Sequence, residues 1–87
     1  MIQVEPTGDN TYQVTVEKGG SSSQHTVTLP EAYFRKLSGG VGTPEELIRR
    51  SFEFLLAREP KESILGRFEL SVIQRYFPDY ERTIGRS

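Results

Sequence analysis

The sequence predicts an α+β fold: an N-terminal three-stranded antiparallel meander followed by two or three packed helices. Two periodicities and one change of composition carry that prediction. Apolar and polar residues alternate in the segments before Pro30, the period of a half-buried strand, and the apolar residues after it recur at helical spacing. At the same point a stretch rich in Thr, Val, Ser, Gln and Gly gives way to one holding most of the charge. The 87 residues make one domain, with a β meander over 1–29 and a helical part over 30–87.

The strands are justified in order. Ile2 and Val4 alternate with Gln3 and Glu5 before the turn cluster Pro6-Thr7-Gly8-Asp9-Asn10. Tyr12, Val14 and Val16 alternate with Thr11, Gln13, Thr15 and Glu17, with β-branched residues where a pleated surface suits them. Lys18-Gly19-Gly20-Ser21-Ser22-Ser23 predicts a second, looser turn. Val27 and Leu29 then alternate with Thr26 and Thr28 until Pro30 stops the strand. Short connections make these strands antiparallel neighbours.

Pro30 also suits a first helical turn, where its missing N–H costs nothing. Tyr33, Phe34 and Leu37 follow at helical spacing until Ser38-Gly39-Gly40-Val41-Gly42 breaks the segment. Thr43-Pro44-Glu45-Glu46 is the clearest local signal: Thr43 caps a helix, Pro44 fits its first position, and Glu46 completes a capping box. That helix should run to about Arg58 or Glu59, before Pro60. Its apolar residues, Leu47, Ile48, Phe52, Phe54, Leu55 and Leu56, span an arc of about 200°, where a surface helix needs little more than ~100°. A helix of that kind is covered on two sides, by the sheet and by either the C-terminal segment or another subunit. The width of the arc exceeds what one small sheet can cover, so the chain is expected to be a homodimer, with Phe52, Leu55 and Leu56 as its shared core.

Beyond Pro60, Ser63 is placed to cap a short turn through Ile64 and Leu65, interrupted at Gly66. Val72, Ile73, Tyr76, Phe77, Tyr80 and Ile84 keep helical spacing on either side of Pro78, which ends one helix or kinks it. Gly85-Arg86-Ser87 is expected to fray.

Composition narrows the chemistry. Without cysteine there is no disulfide, thiolate metal site or cysteine nucleophile, and one histidine cannot supply a multi-imidazole site. Neither a membrane-length apolar run nor a signal-peptide start is present, so the expected location is cytoplasmic with no membrane partner. His25, on a strand edge, suits a structural or solvent-exposed role better than a catalytic one. Glu45 and Glu46 are helix-dipole partners rather than an acid–base pair. Gly39-Gly40-Val41-Gly42-Thr43 lacks the lysine of a phosphate loop and is a flexible connection. No catalytic residue, metal ligand or cofactor is implied.

The stretch Gln24-His25-Thr26-Val27-Thr28-Leu29-Pro30 through Glu59 resembles the ribbon-helix-helix family of small bacterial repressors and antitoxins. Val27-Thr28-Leu29-Pro30 matches that family's strand and its end, Glu31 to Leu37 its first helix, and Thr43-Pro44-Glu45-Glu46-Leu47-Ile48-Arg49-Arg50 the opening of its second. The resemblance implies a dimer that pairs its strands across a two-fold axis and lays them in the major groove. Gln24, Thr26 and Thr28 would then read bases, N–H groups near Thr43 would hold a phosphate, and Arg35, Lys36, Arg49 and Arg50 would neutralise others. The residues themselves weigh towards a different class. Net charge is −1, and the outward face of the meander carries Glu5 and Glu17 beside Gln13 and Thr15, with no Arg or Lys. The leading expectation is therefore a non-catalytic regulatory or protein-interaction module, with DNA binding as the alternative.

Overall fold

The computed structural model describes residues 1–85. Arg86 and Ser87, in the tail expected to fray, lie outside the described residues. The architecture is α+β, as the two periodicities require, with one strand more than the meander, set within the part expected to be helical, and four helices where two or three are expected. Strands β1 (Ile2–Gly8), β2 (Thr11–Lys18) and β3 (Ser21–Thr28) are followed by helices α1 (Glu31–Ser38) and α2 (Pro44–Leu56), a 3₁₀ turn (Lys61–Ser63), strand β4 (Arg67–Glu69), and helices α3 (Val72–Tyr76) and α4 (Tyr80–Ile84). The sheet order is β1-β2-β3-β4.

Both hairpins turn through two residues. At Asp9-Asn10 the left-handed φ of 54° falls on Asn10, a residue type that tolerates it. At Gly19-Gly20 both φ values are positive, 69° and 82°, the requirement of a type I′ turn that only glycine meets without strain. This second turn is tighter than the Gly/Ser run suggests, so β3 starts at Ser21 and pairs with β2 along its whole length, from Lys18↔Ser21 to Thr11↔Thr28. The register stacks Val4, Val14 and His25 in one inward row, and Tyr12, Val27 and Phe68 in another.

Strand β4 is the element the periodicity did not foresee. It pairs in parallel with β3, Thr26↔Arg67 to Thr28↔Glu69, clamped by Thr26 N–H to Gly66 O at 2.8 Å and Leu70 N–H to Thr28 O at 2.9 Å. Three residues reading Arg-Phe-Glu are too short to display an alternation.

Thr43 caps α2 as expected. Its hydroxyl accepts from the Glu46 N–H at 3.2 Å while the Glu46 carboxylate accepts from the Thr43 N–H at 3.1 Å. The helix stops at Leu56 rather than at Arg58 or Glu59: the Arg58 N–H bonds the Leu55 carbonyl three residues back instead of the Phe54 carbonyl, which accepts from the Arg58 guanidinium. The following turn spans Lys61–Ser63 instead of starting at Ser63, since Pro60 at φ −69° opens it and its carbonyl accepts from the Ser63 N–H. Pro78 separates α3 from α4, with Phe77 before it driven out of the helical conformation to φ −133° and ψ 89°.

The wide arc of α2 is answered within the chain. Phe52, fully buried, meets His25 and Phe68 on the sheet side, with ring centroids at 5.3 and 6.0 Å. Phe54 turns the other way, edge-on to Phe77 and Tyr80 at 5.8 and 5.3 Å. Phe52 and Leu55 are thus enclosed in the single chain, and Leu56 packs partly buried against the same core. The C-terminal segment thus supplies within the chain the second covering that the arc of α2 calls for.

Candidate functional site

The C-terminal segment covers α2 incompletely. Where α2 ends, the chain turns at Pro60, runs out through residues 63–66, returns as β4 and passes into α3, leaving a half-open groove of about 370 Å³. Leu55, Ile64, Phe68 and Ile73 form its apolar floor, all of them buried. At its edge stand Leu65, 47% exposed, and Tyr76, 67% exposed. Two of the most exposed large apolar side chains among the described residues therefore rim one cavity.

The segment carrying Leu65 is fixed by His25. Its Nδ1 lies 2.7 Å from the Leu65 carbonyl and its Nε2 2.8 Å from Ser23 Oγ. A carbonyl only accepts, so Nδ1 donates to Leu65, and in the neutral ring Nε2 then accepts from the Ser23 hydroxyl. His25 is not at an exposed strand edge: it is 2% exposed, on the inward face of an interior strand. Its role is to join β3 to the rim.

The far wall is held by the α3–α4 corner. The Gln74 side chain donates to the Pro78 carbonyl at 2.6 Å and accepts from the Glu81 N–H at 2.8 Å. Tyr80 then pins α4 to α2. Ser51 Oγ donates to the Leu47 carbonyl at 2.7 Å, so the Tyr80 hydroxyl, 2.6 Å away, is the donor to Ser51. Burial raises the Tyr80 phenol far above its ordinary pKa, against a smaller lowering by the Ser51 hydrogen bond. Burial also raises Tyr33, reinforced by its 2.7 Å hydrogen bond to Glu81. The Arg58 guanidinium lies 3.6 Å from the centroid of the Phe54 ring and pairs with Asp79 at 3.3 Å, closing the seam beside the groove.

The residues expected to contact DNA are not brought to one surface. Gln24, Thr26 and Thr28 lie on the outer face of the sheet, where Gln13 donates to Gln24 and accepts from Thr26, both at 3.2 Å. The helices pack on the inner face, so Arg35, Lys36, Arg49 and Arg50 belong to the other layer. Arg35 pairs with Glu31, Lys36 with Glu81, and Arg50 donates to the Ile84 carbonyl. Arg49 lies near Met1, Glu17 and Glu53, away from Arg50. The Thr43 and Glu46 N–H groups are taken by the capping box, which leaves neither for a phosphate. Strand β3, whose residues would pair across a dimer axis, has β2 on one edge and β4 on the other.

Periodicity assigned Tyr76 and Phe77 to the core and did not find the groove. The available signal was local: Ile64-Leu65 followed by Gly66 places two apolar residues where an irregular segment cannot bury both. Among the described residues no group of three or more His, Asp or Glu is placed to hold a metal ion, and no helix is long and apolar enough to cross a membrane. No family model matches the chain, and the comparisons with curated proteins and with solved structures gave no match.

Proposed function

We propose that the chain is a non-catalytic interaction module, regulatory in role, that docks a partner protein through the groove between the end of α2 and the β4–α3 segment. One observation carries this reading: Leu65 and Tyr76 both stay exposed at the edge of one apolar floor. The engagement of the buried polar side chains supports its non-catalytic half. His25 joins β3 to the rim, Ser51 joins α2 to α4, and Lys61 is paired with Glu62 at 2.6 Å. The first two tie separate elements together, and the third is a local pair within one turn.

The test is amide chemical-shift mapping during titration with an uncharged amphipathic Leu/Ser peptide. Perturbations should cluster at Glu59, Leu65 and Tyr76, and the double variant Leu65→Ser, Tyr76→Ser should remove them without lowering the melting temperature. Shifts confined to the outer face of the sheet, or none at all, would overturn the docking reading.

A further inference from the structure

The groove also has a charge, and its sign selects an occupant. Glu59 lines it, half-buried, with no hydrogen bond or ion pair to its carboxylate among the described residues. The cations near it in sequence are engaged elsewhere: Arg58 with Asp79 and the Phe54 ring, Lys61 with Glu62. Arg75, on α3 beside Tyr76, does not line the groove. Ser63 adds a hydroxyl to the same wall. An apolar floor, an exposed aromatic ring and an unpaired carboxylate together suit an aliphatic surface bearing a cation, whose stem can lie on the ring while its head reaches the carboxylate.

Resting on the docking reading above, we propose that the occupant is a basic amphipathic helical segment of a partner protein, with apolar side chains on the groove floor and a Lys or Arg paired with Glu59. A small cation inside the groove would leave the rim wet, whereas a helix covers Leu65 and Tyr76 as well as the floor. A second copy of this chain is disfavoured by symmetry, since a two-fold contact through this patch brings both Glu59 carboxylates into one interface.

The test uses two synthetic 14-residue helices with leucine at i, i+3, i+4 and i+7, one with lysine and one with glutamate at the remaining positions. Binding to the intact protein is followed by the fluorescence anisotropy of a label on the peptide, and the mass of the protein alone by light scattering. The Leu/Lys helix should bind at least about tenfold more tightly than the Leu/Glu helix. Glu59→Gln should cut that preference by about fivefold and Glu59→Lys should invert it, while Tyr76→Ala should weaken whichever helix binds. Glu59 and Tyr76 are both outside the buried core, so these variants keep the fold. Equal binding of the two helices, both weakened by Tyr76→Ala, would overturn the charge assignment and leave the docking reading intact. Binding of neither helix, with no shift in the amide map, would overturn both. A dimer of the protein alone that Tyr76→Ala dissolves would overturn this proposal in favour of self-association, as would hexylammonium ion binding as tightly as the Leu/Lys helix.

Discussion

On one flank of α2, strands of seven and eight residues joined by two-residue turns present Val14, Val16, His25 and Val27 in regular rows. The stretch between Lys61 and Ile84 adds β4 to the edge of that sheet and lays α3 and α4 on the other flank, and no regular element in it exceeds five residues. A five-residue helix has no stability of its own, so this second flank depends on individual contacts: His25 to Leu65, Ser51 to Tyr80, Arg58 to Asp79, Gln74 across the α3–α4 corner. The difference teaches that a periodic surface can be read residue by residue from its own sequence. A surface built from pairwise contacts is defined only once both partners are in place. The groove lies on the second kind.

The largest effect that would break the comparison is at the junction of the two flanks. Phe52→Ala should destabilise by about 3–5 kcal/mol in chemical denaturation, because Phe52 touches His25 and Phe68 with no exposed surface. A loss below about 1 kcal/mol would mean that the flanks are not packed through that ring. Next, the Ser51–Tyr80 pair should respond asymmetrically. Ser51→Ala leaves a buried phenol without its acceptor and should cost about 1–3 kcal/mol, while Tyr80→Phe leaves Ser51 still donating to Leu47 and should cost less.

The same pair sets a pH limit. Tyr80 and Tyr33 have folded-state pKa values raised above the ordinary 10.0, so their contribution is complete below pH 10 and is lost as pH rises above it. The denaturation midpoint should fall above pH 10, and Tyr80→Phe should flatten that fall. An identical alkaline profile for the variant would remove Tyr80 as a cause. Smaller still, Thr43→Ala should cost about 1 kcal/mol through loss of the capping box. The smallest effect is expected on the outer face of the sheet: duplex DNA should bind no better than ~10⁻⁴ M at moderate salt, and Thr26→Ala should not change it. Tight, salt-sensitive, sequence-selective binding in a filter or anisotropy assay would show instead that the polar face, and not the groove, is the working surface.

Legibility in the sequence follows the same division. The alternation at Tyr12, Val14 and Val16 and the capping box at Thr43 were readable because each pattern lies within a few consecutive residues. Strand β4 was not, because Arg67-Phe68-Glu69 acquires its conformation from the edge of β3, far back in the chain. The arc of α2 correctly implied two coverings, but an arc carries no information on whether the second cover is intramolecular. Tyr76 shows the converse failure. Its helical spacing with Ile73 and Tyr80 suggested core, while α3 ends at that very residue and leaves its ring outside. For the groove, Glu59 gave no signal at all, since an unpaired carboxylate is recognised only from what does not approach it.

The parallel pairing of β4 with β3 also bears on how the chain comes together. The meander pairs neighbours in sequence, but the Thr28↔Glu69 pair must close a loop of roughly forty residues, a larger entropic cost than either hairpin carries. Until residues 66–70 have left the ribosome, the Thr26-Val27-Thr28 edge of β3 is open and carries the unsatisfied N–H and C=O groups from which strand-to-strand aggregation begins. Strand β4, made later in synthesis, is thus the guard of that edge: it pairs the groups that the meander alone leaves open.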